Sequence, residues 1–181
     1  MLIHPDKSLL LVIDVQDKLL PAVAEPEPLL ENCRWLLEIA DYLKVPVLGT
    51  EQYPQGIGHT AEPLGALIPA GAMLEKTHFS CVAEPACAAA IEACQPQQVV
   101  IIGIEAHVCV LQSALQLREQ ARDVFVVADC IASRNPQDKA LAIERMRQAG
   151  IQVVSREMVA FEWMRKAGTD SFRHISRNYL R

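Results

Sequence analysis

What this chain lacks narrows its chemistry first. Its six cysteines lack metal spacing such as C-x-x-C, and with no small secreted scaffold to staple they are expected as reduced thiols. Glycine is scarce at eight residues, and none builds G-x-G-x-x-G after the first apolar run, which ends instead in Asp14-Val15-Gln16-Asp17. No glycine-lysine phosphate loop occurs either. A nucleotide cofactor is therefore not expected. No apolar run approaches the length of a membrane span. A first strand opening by about Ser8 leaves no room for a signal or transit peptide, which points to a cytoplasmic protein. Net charge is -5 and the 17 basic residues are scattered, so neither nucleic acid nor an anionic membrane is an expected partner.

What is present is apolar sequence in short, regular pieces. With 181 residues, 51% of them hydrophobic, residues 1–181 suit one domain with one core. Strand-like runs fall at Ser8–Ile13, Val45–Leu48, Ala72–Leu74, Val99–Ile102, Val124–Ala128 and Ile151–Val154. Helical spacing fills the gaps at Leu29–Leu43, Glu84–Cys94 and Cys109–Gln120, and from a start at Asn135 and Pro136 to a stop at Gly150, with two terminal helices over Glu157–Lys166 and Ser171–Leu180. Strands alternating with helices predict an α/β fold, a three-layer α/β/α sandwich around a six-stranded, doubly wound parallel sheet. Ligands of such sheets bind beyond the carboxyl ends of the strands, near the switch in strand order.

Three chemically capable side chains stand at such exits: Asp14, Lys76 and Cys109. Projected at about 100° per residue, the helix after Val108 gathers Val108, Val110, Leu111, Ala114, Leu115 and Leu117 on one arc, leaving Cys109 off the core face. A thiol in the first turn of a helix feels unsatisfied N–H groups, which favours the thiolate. Cys33, Cys87 and Cys94 fall on core stripes instead. Trp35, Trp163 and the stripe Phe172, Ile175, Tyr179 suggest a homo-oligomer surface, or internal packing. Glu51 and His59 flank a polar loop but do not amount to a metal-ligand set.

The runs LLVIDVQDKLL, EKTHFSCV, GIEAHVCV and DCIASR, in this order and at these separations, resemble the isochorismatase-like, or cysteine, hydrolases over nearly the whole chain. TEQYPQGIGHT at Thr50 to Thr60 is similar to the branch named isochorismatase domain-containing proteins. The resemblance implies a six-stranded parallel sheet, a catalytic triad of Asp14, Lys76 and Cys109, and a non-proline cis peptide between Ile104 and Glu105. Nicotinamidases of this fold carry a D-x-H metal motif where this chain has Glu51-Gln52-Tyr53, so no metal and no other cofactor is implied. True isochorismatases do not depend on this cysteine, and its presence favours amidase-type chemistry.

The corresponding expectation is a small-molecule substrate, a carboxamide or carbamoyl compound, attacked by Cys109 to give a thioester. Asp14 would carry the proton, Lys76 would hold the anionic partners, and the backbone N–H groups of Glu105 and Cys109 would form the oxyanion hole. Gln16, Gln52, Tyr53, Phe79 and His107 are candidates for lining the pocket, each equally suited to a cap or packing role. Two other classes stand beside this one: a catalytically idle, partner-binding relative, and a thiol redox protein in which Cys130 or Cys81 resolves Cys109.

Overall fold

The computed structural model describes residues 1–180. Six strands, β1 (Ser8–Ile13), β2 (Val47–Gln52), β3 (Met73–Lys76), β4 (Gln98–Ile104), β5 (Asp123–Ala132) and β6 (Gln152–Val154), form one parallel sheet in the order β3-β2-β1-β4-β5-β6. The helices are α1 (Pro26–Leu43), α2 (Pro54–Ile57), α3 (Leu64–Leu67), α4 (Pro85–Ala93), α5 (Leu111–Glu119), α6 (Pro136–Gln148), α7 (Arg156–Met164) and α8 (Asp170–Tyr179). The predicted α/β sandwich is therefore the observed fold.

Strand alternation explains the three layers. Leu10, Val12, Val100, Ile102, Phe125 and Val127 pack toward α1, α7 and α8, while Leu9, Leu11, Ile13, Val99, Ile101 and Val126 pack toward α4, α5 and α6. Both faces of the central strands are covered, which is why these strands read as unbroken apolar runs. No described helix is long and apolar enough to cross a membrane.

Three strands run past the carboxyl-terminal bounds read from sequence and into polar residues. β2 continues through Thr50, Glu51 and Gln52, β3 through Glu75 and Lys76, and β5 through Asp129 to Ala132. Polar residues at these exits are kept in the sheet by partners that periodicity does not reveal. β5 also slips register against β4, Ile101 pairing with Val126 but Gly103 with Ile131, so the intervening residues bulge.

One packing expectation needs correction, and one pair of alternatives is resolved. Cys94 is exposed, because α4 ends at Ala93 and leaves it as the cap rather than on the buried stripe. Trp163 and Ile175 are buried, and Trp35, Phe172 and Tyr179 pack against the same core. That aromatic stripe is consumed internally, closed by Trp35 Nε1 donating to the Tyr179 carbonyl at 2.9 Å.

Gly103 sets the spacing of the two central strands. Its φ is +125°, and a Cβ there would sit 2.0 Å from the Ile13 carbonyl oxygen, in backbone that cannot yield. Gly103→Ala is expected to destabilise the fold by more than about 2 kcal/mol, read as a lower urea midpoint. An unchanged midpoint would show that the β1–β4 contact is looser than described.

Candidate active site

The site is assembled from the exits of four neighbouring strands. Asp14 directly follows β1 in a left-handed conformation, φ 52°, sparsely populated for a non-glycine residue. Its N–H donates to the Thr50 carbonyl at 3.1 Å and its own carbonyl accepts from Gln16 N at 2.8 Å. That geometry turns the carboxylate inward, where it is fully buried. Thr50 Oγ1 donates to Oδ1 at 2.7 Å and Lys76 Nζ to Oδ2 at 2.7 Å.

Lys76 is the largest fully buried side chain of the protein's interior. Besides Asp14, its ammonium reaches Gln52 Oε1 at 2.6 Å and the carbonyls of Phe79 at 3.1 Å and His78 at 3.3 Å. A buried charge so enclosed is held in place rather than free to swing. Glu84, the residue before α4, fixes the turn that supplies those carbonyls: its carboxylate accepts from Thr77 N at 3.0 Å and His78 N at 3.4 Å. The Thr77 N–H, with His78 beside it, lowers the Glu84 carboxyl to about 2.

Cys109 lies in a wide π-type turn, Ala106–Val110, that joins β4 to α5. The peptide between Ile104 and Glu105 is cis. The sequence expectation for the thiol is overturned: Cys109 is 6% exposed and packs in the core layer on the α5 side. The wide turn, not a regular helix start, changes the direction in which it points. Burial pushes the thiol far above its ordinary value, the Asp14 charge adds to the rise, and Lys76 offsets only part of it. Both effects favour the protonated thiol at rest.

Burial likewise raises the Asp14 carboxyl above its usual range, with Lys76, Cys109 and Thr50 pulling the other way. For Lys76 burial works against the charge, but Asp14 and Cys109 outweigh it and keep the ammonium protonated. The arrangement couples an acid, a cation and a thiol within one dry enclosure, a setting suited to moving a proton from sulfur to carboxylate.

The remaining candidates divide by what their polar atoms already do. Gln16 is fully buried and spent: Nε2 donates to the carbonyls of Gln52 at 3.0 Å and Gly58 at 2.6 Å, and Oε1 accepts from Gln52 N at 2.7 Å. It braces the 52–58 loop and has no polar atom left for a ligand. Gln52 steadies Lys76. Tyr53 and Phe79 are each 53% exposed and stand on the two segments flanking Lys76. His107 is half-buried, with Nδ1 2.9 Å from Ser133 Oγ.

Glu51 and His59 face each other, His59 Nδ1 lying 2.9 Å from Oε2, while Oε1 accepts from Thr60 N at 2.6 Å and Thr60 Oγ1 at 2.9 Å. Among the described residues no three His, Cys, Asp or Glu side chains converge as a metal set. Cys130 packs on the opposite side of the sheet, where Cys33 Sγ donates to its carbonyl at 3.4 Å. It cannot reach Cys109, so of the two resolving partners considered only Cys81 shares its layer.

Sequence reasoning missed Thr50, Glu84 and the pair Ser113 and Gln116, which fix Cys81 N at 3.0 Å and Ser80 Oγ at 2.6 Å against α5. The one available signal was Thr50 as a polar residue ending an apolar run. A cavity of about 820 Å³ beside the β5 bulge, walled by Leu29, Asn32, Asp129, Ser133 and Lys139, is not lined by Asp14, Lys76 or Cys109.

Comparison with known proteins matches residues 8–158 to the family model described as Isochorismatase domain. Isochorismatase domain-containing protein 2A of Mus musculus is 35% identical over 178 residues, covering 97% of this chain and 84% of that protein. Among solved structures, MAR1 ribonuclease from Caenorhabditis elegans aligns with a TM-score of 0.92 at 31% identity, over 100% of this chain and 93% of its own. The YcaC gene product of Escherichia coli, described as an octameric hydrolase of unknown specificity, aligns with a TM-score of 0.94 at 27% identity, over 99% and 91%. With its strand order, its strand-exit residues and this coverage taken together, the chain belongs to the isochorismatase domain family.

Proposed function

We propose that this protein is a thiol hydrolase that cleaves the C–N bond of a small carboxamide or carbamoyl compound, with Asp14, Lys76 and Cys109 as its catalytic residues. The observation that carries the reading is the 2.7 Å buried contact between Lys76 and Asp14, whose negative charge acts on the buried Cys109 thiol. The E. coli relative's description as a hydrolase supports the reaction class. The ribonuclease name of the C. elegans relative belongs to that protein; a net charge of -5 gives an RNA-cleaving reading no support here.

In this reading the Cys109 S–H proton passes to Asp14 as sulfur bonds to the carbonyl carbon. The carbonyl π electrons move to oxygen, which the backbone N–H groups of Glu105 and Cys109 receive. Collapse breaks the C–N bond, and Asp14 returns the proton to the departing amine. Water then adds to the thioester, giving a proton to Asp14 and expelling the sulfur, which recovers that proton. Lys76 keeps Asp14 ionised at the start and balances the charge as it moves. No step asks for a free thiolate at rest, in keeping with the raised thiol.

We also propose self-association, as for the octameric relative. The face suited to it is not the aromatic stripe but the exposed Leu2, Met158 and Phe161, which line one hollow with Glu162 and Arg165.

Two outcomes follow. Incubation with a panel of primary amides and N-carbamoyl compounds is expected to release ammonia and to leave an acyl mass on Cys109 in rapidly quenched protein; Cys109→Ala loses both. Ammonia release that survives Cys109→Ala would refute the thiol mechanism. Phe161→Asp is expected to reduce the assembled mass seen by light scattering, and an unaltered mass would assign assembly to another face.

A further inference from the structure

Glu105 is used in three ways at once. Its carbonyl accepts from Val108 N at 3.1 Å and Val110 N at 3.2 Å, fixing the turn that carries the nucleophile. Its carboxylate Oε1 accepts from Arg134 Nε at 2.7 Å. Its backbone N–H is, on the proposed mechanism, one of the two oxyanion donors. The same residue therefore offers an N–H to a developing oxyanion and carries a negative charge on its side chain. An unpaired carboxylate so close would oppose the negative charge that the N–H is there to stabilise.

We propose that Arg134 is a positioning residue that masks the Glu105 carboxylate, so that the oxyanion forms beside a neutral pair instead of a bare anion. This rests on the thiol-hydrolase reading. The sequence segment that supplies Arg134 is itself tied to the nucleophile turn: the adjacent Ser133 is buried, its Oγ lies 2.9 Å from His107 Nδ1, and its carbonyl accepts from Ala24 N at 3.0 Å. Two neighbouring residues of the β5 exit thus hold two residues of one turn. The other ionisable pair nearby, His107 and Asp138, is separated by 4.0 Å.

The pair is poorly placed to act as a stability device. The Arg134 side chain is 64% exposed and that of Glu105 14%, and pairs with one partner in water contribute little to folding. Its effect belongs in the rate of a step that builds charge next to Glu105, and Arg134→Ala should leave the unfolding midpoint nearly unchanged.

Two reagents separate that step from the nucleophile's own reactivity. p-Nitrophenyl acetate acylates Cys109 through a tetrahedral oxyanion, whereas iodoacetamide alkylates the sulfur by direct displacement and forms none. Removing one oxyanion donor costs about 10²–10³ in rate, and a repelling charge beside a retained donor is expected to cost about tenfold. In Arg134→Ala the ratio of acylation to alkylation rates should fall by about that factor. Adding Glu105→Gln to Arg134→Ala should restore most of it, because the offending charge is gone although the ion pair is still missing. A ratio unchanged in Arg134→Ala, or a loss that Glu105→Gln does not relieve, overturns the masking role while leaving Cys109 as nucleophile. A wild-type protein that yields no acetyl-Cys109 overturns the thiol-hydrolase reading and this inference with it.

Discussion

The buried ion pair of Asp14 and Lys76 is the constraint to which the surrounding structure answers. Both side chains are fully removed from water, and a charge in that position is tolerated only with its partner and a full set of hydrogen bonds. β1 and β3, which carry them, are not neighbours in the sheet. β2 lies between them and supplies Thr50 to one charge and Gln52 to the other. The polar end of β2, the left-handed Asp14 and the Glu84-bound turn after β3 follow from the need to satisfy this pair.

That constraint also decides the state of the sulfur. A thiol facing a carboxylate in a dry pocket is harder to ionise, since burial and the negative neighbour act together. In the proposed reaction the acid, lysine and thiol act as one titrating unit. On the proposed mechanism activation comes from the Asp14 carboxylate and not from the field at a helix start. Tyr53 and Phe79, on the two segments flanking Lys76, are exposed and lie outside this enclosure.

Legibility in the sequence followed burial. β1 and β4 could be read because both their faces are covered and nothing but apolar residues fits there. Asp14, Lys76 and Cys109 could be placed near strand exits for a related reason: Asp14 follows directly on an apolar run, and Lys76 and Cys109 come a short way beyond one. Thr50, Glu51 and Gln52 could not be recognised as strand, because their burial depends on partners such as Asp14, Thr60 and Lys76 that are distant along the chain. The direction of Cys109 was misjudged on the assumption of regular helical geometry from its first residue, whereas the chain makes a wider turn before α5. Gln16 looked like a pocket residue from its place after Asp14, yet its amide is consumed by the loop it braces. The family resemblance supplied what periodicity could not, namely the expectation that three separated exits act together.

The most direct test of the coupled unit is the pH dependence of Cys109 alkylation by iodoacetamide in the wild-type protein and in Asp14→Asn. If Asp14 takes the thiol proton, the wild-type rate rises as pH climbs through the Asp14 ionisation, which burial places above the ordinary carboxylate value of 3.8, and Asp14→Asn lacks this limb and reacts only as the raised thiol itself ionises. Superimposable profiles for the two proteins would contradict the account.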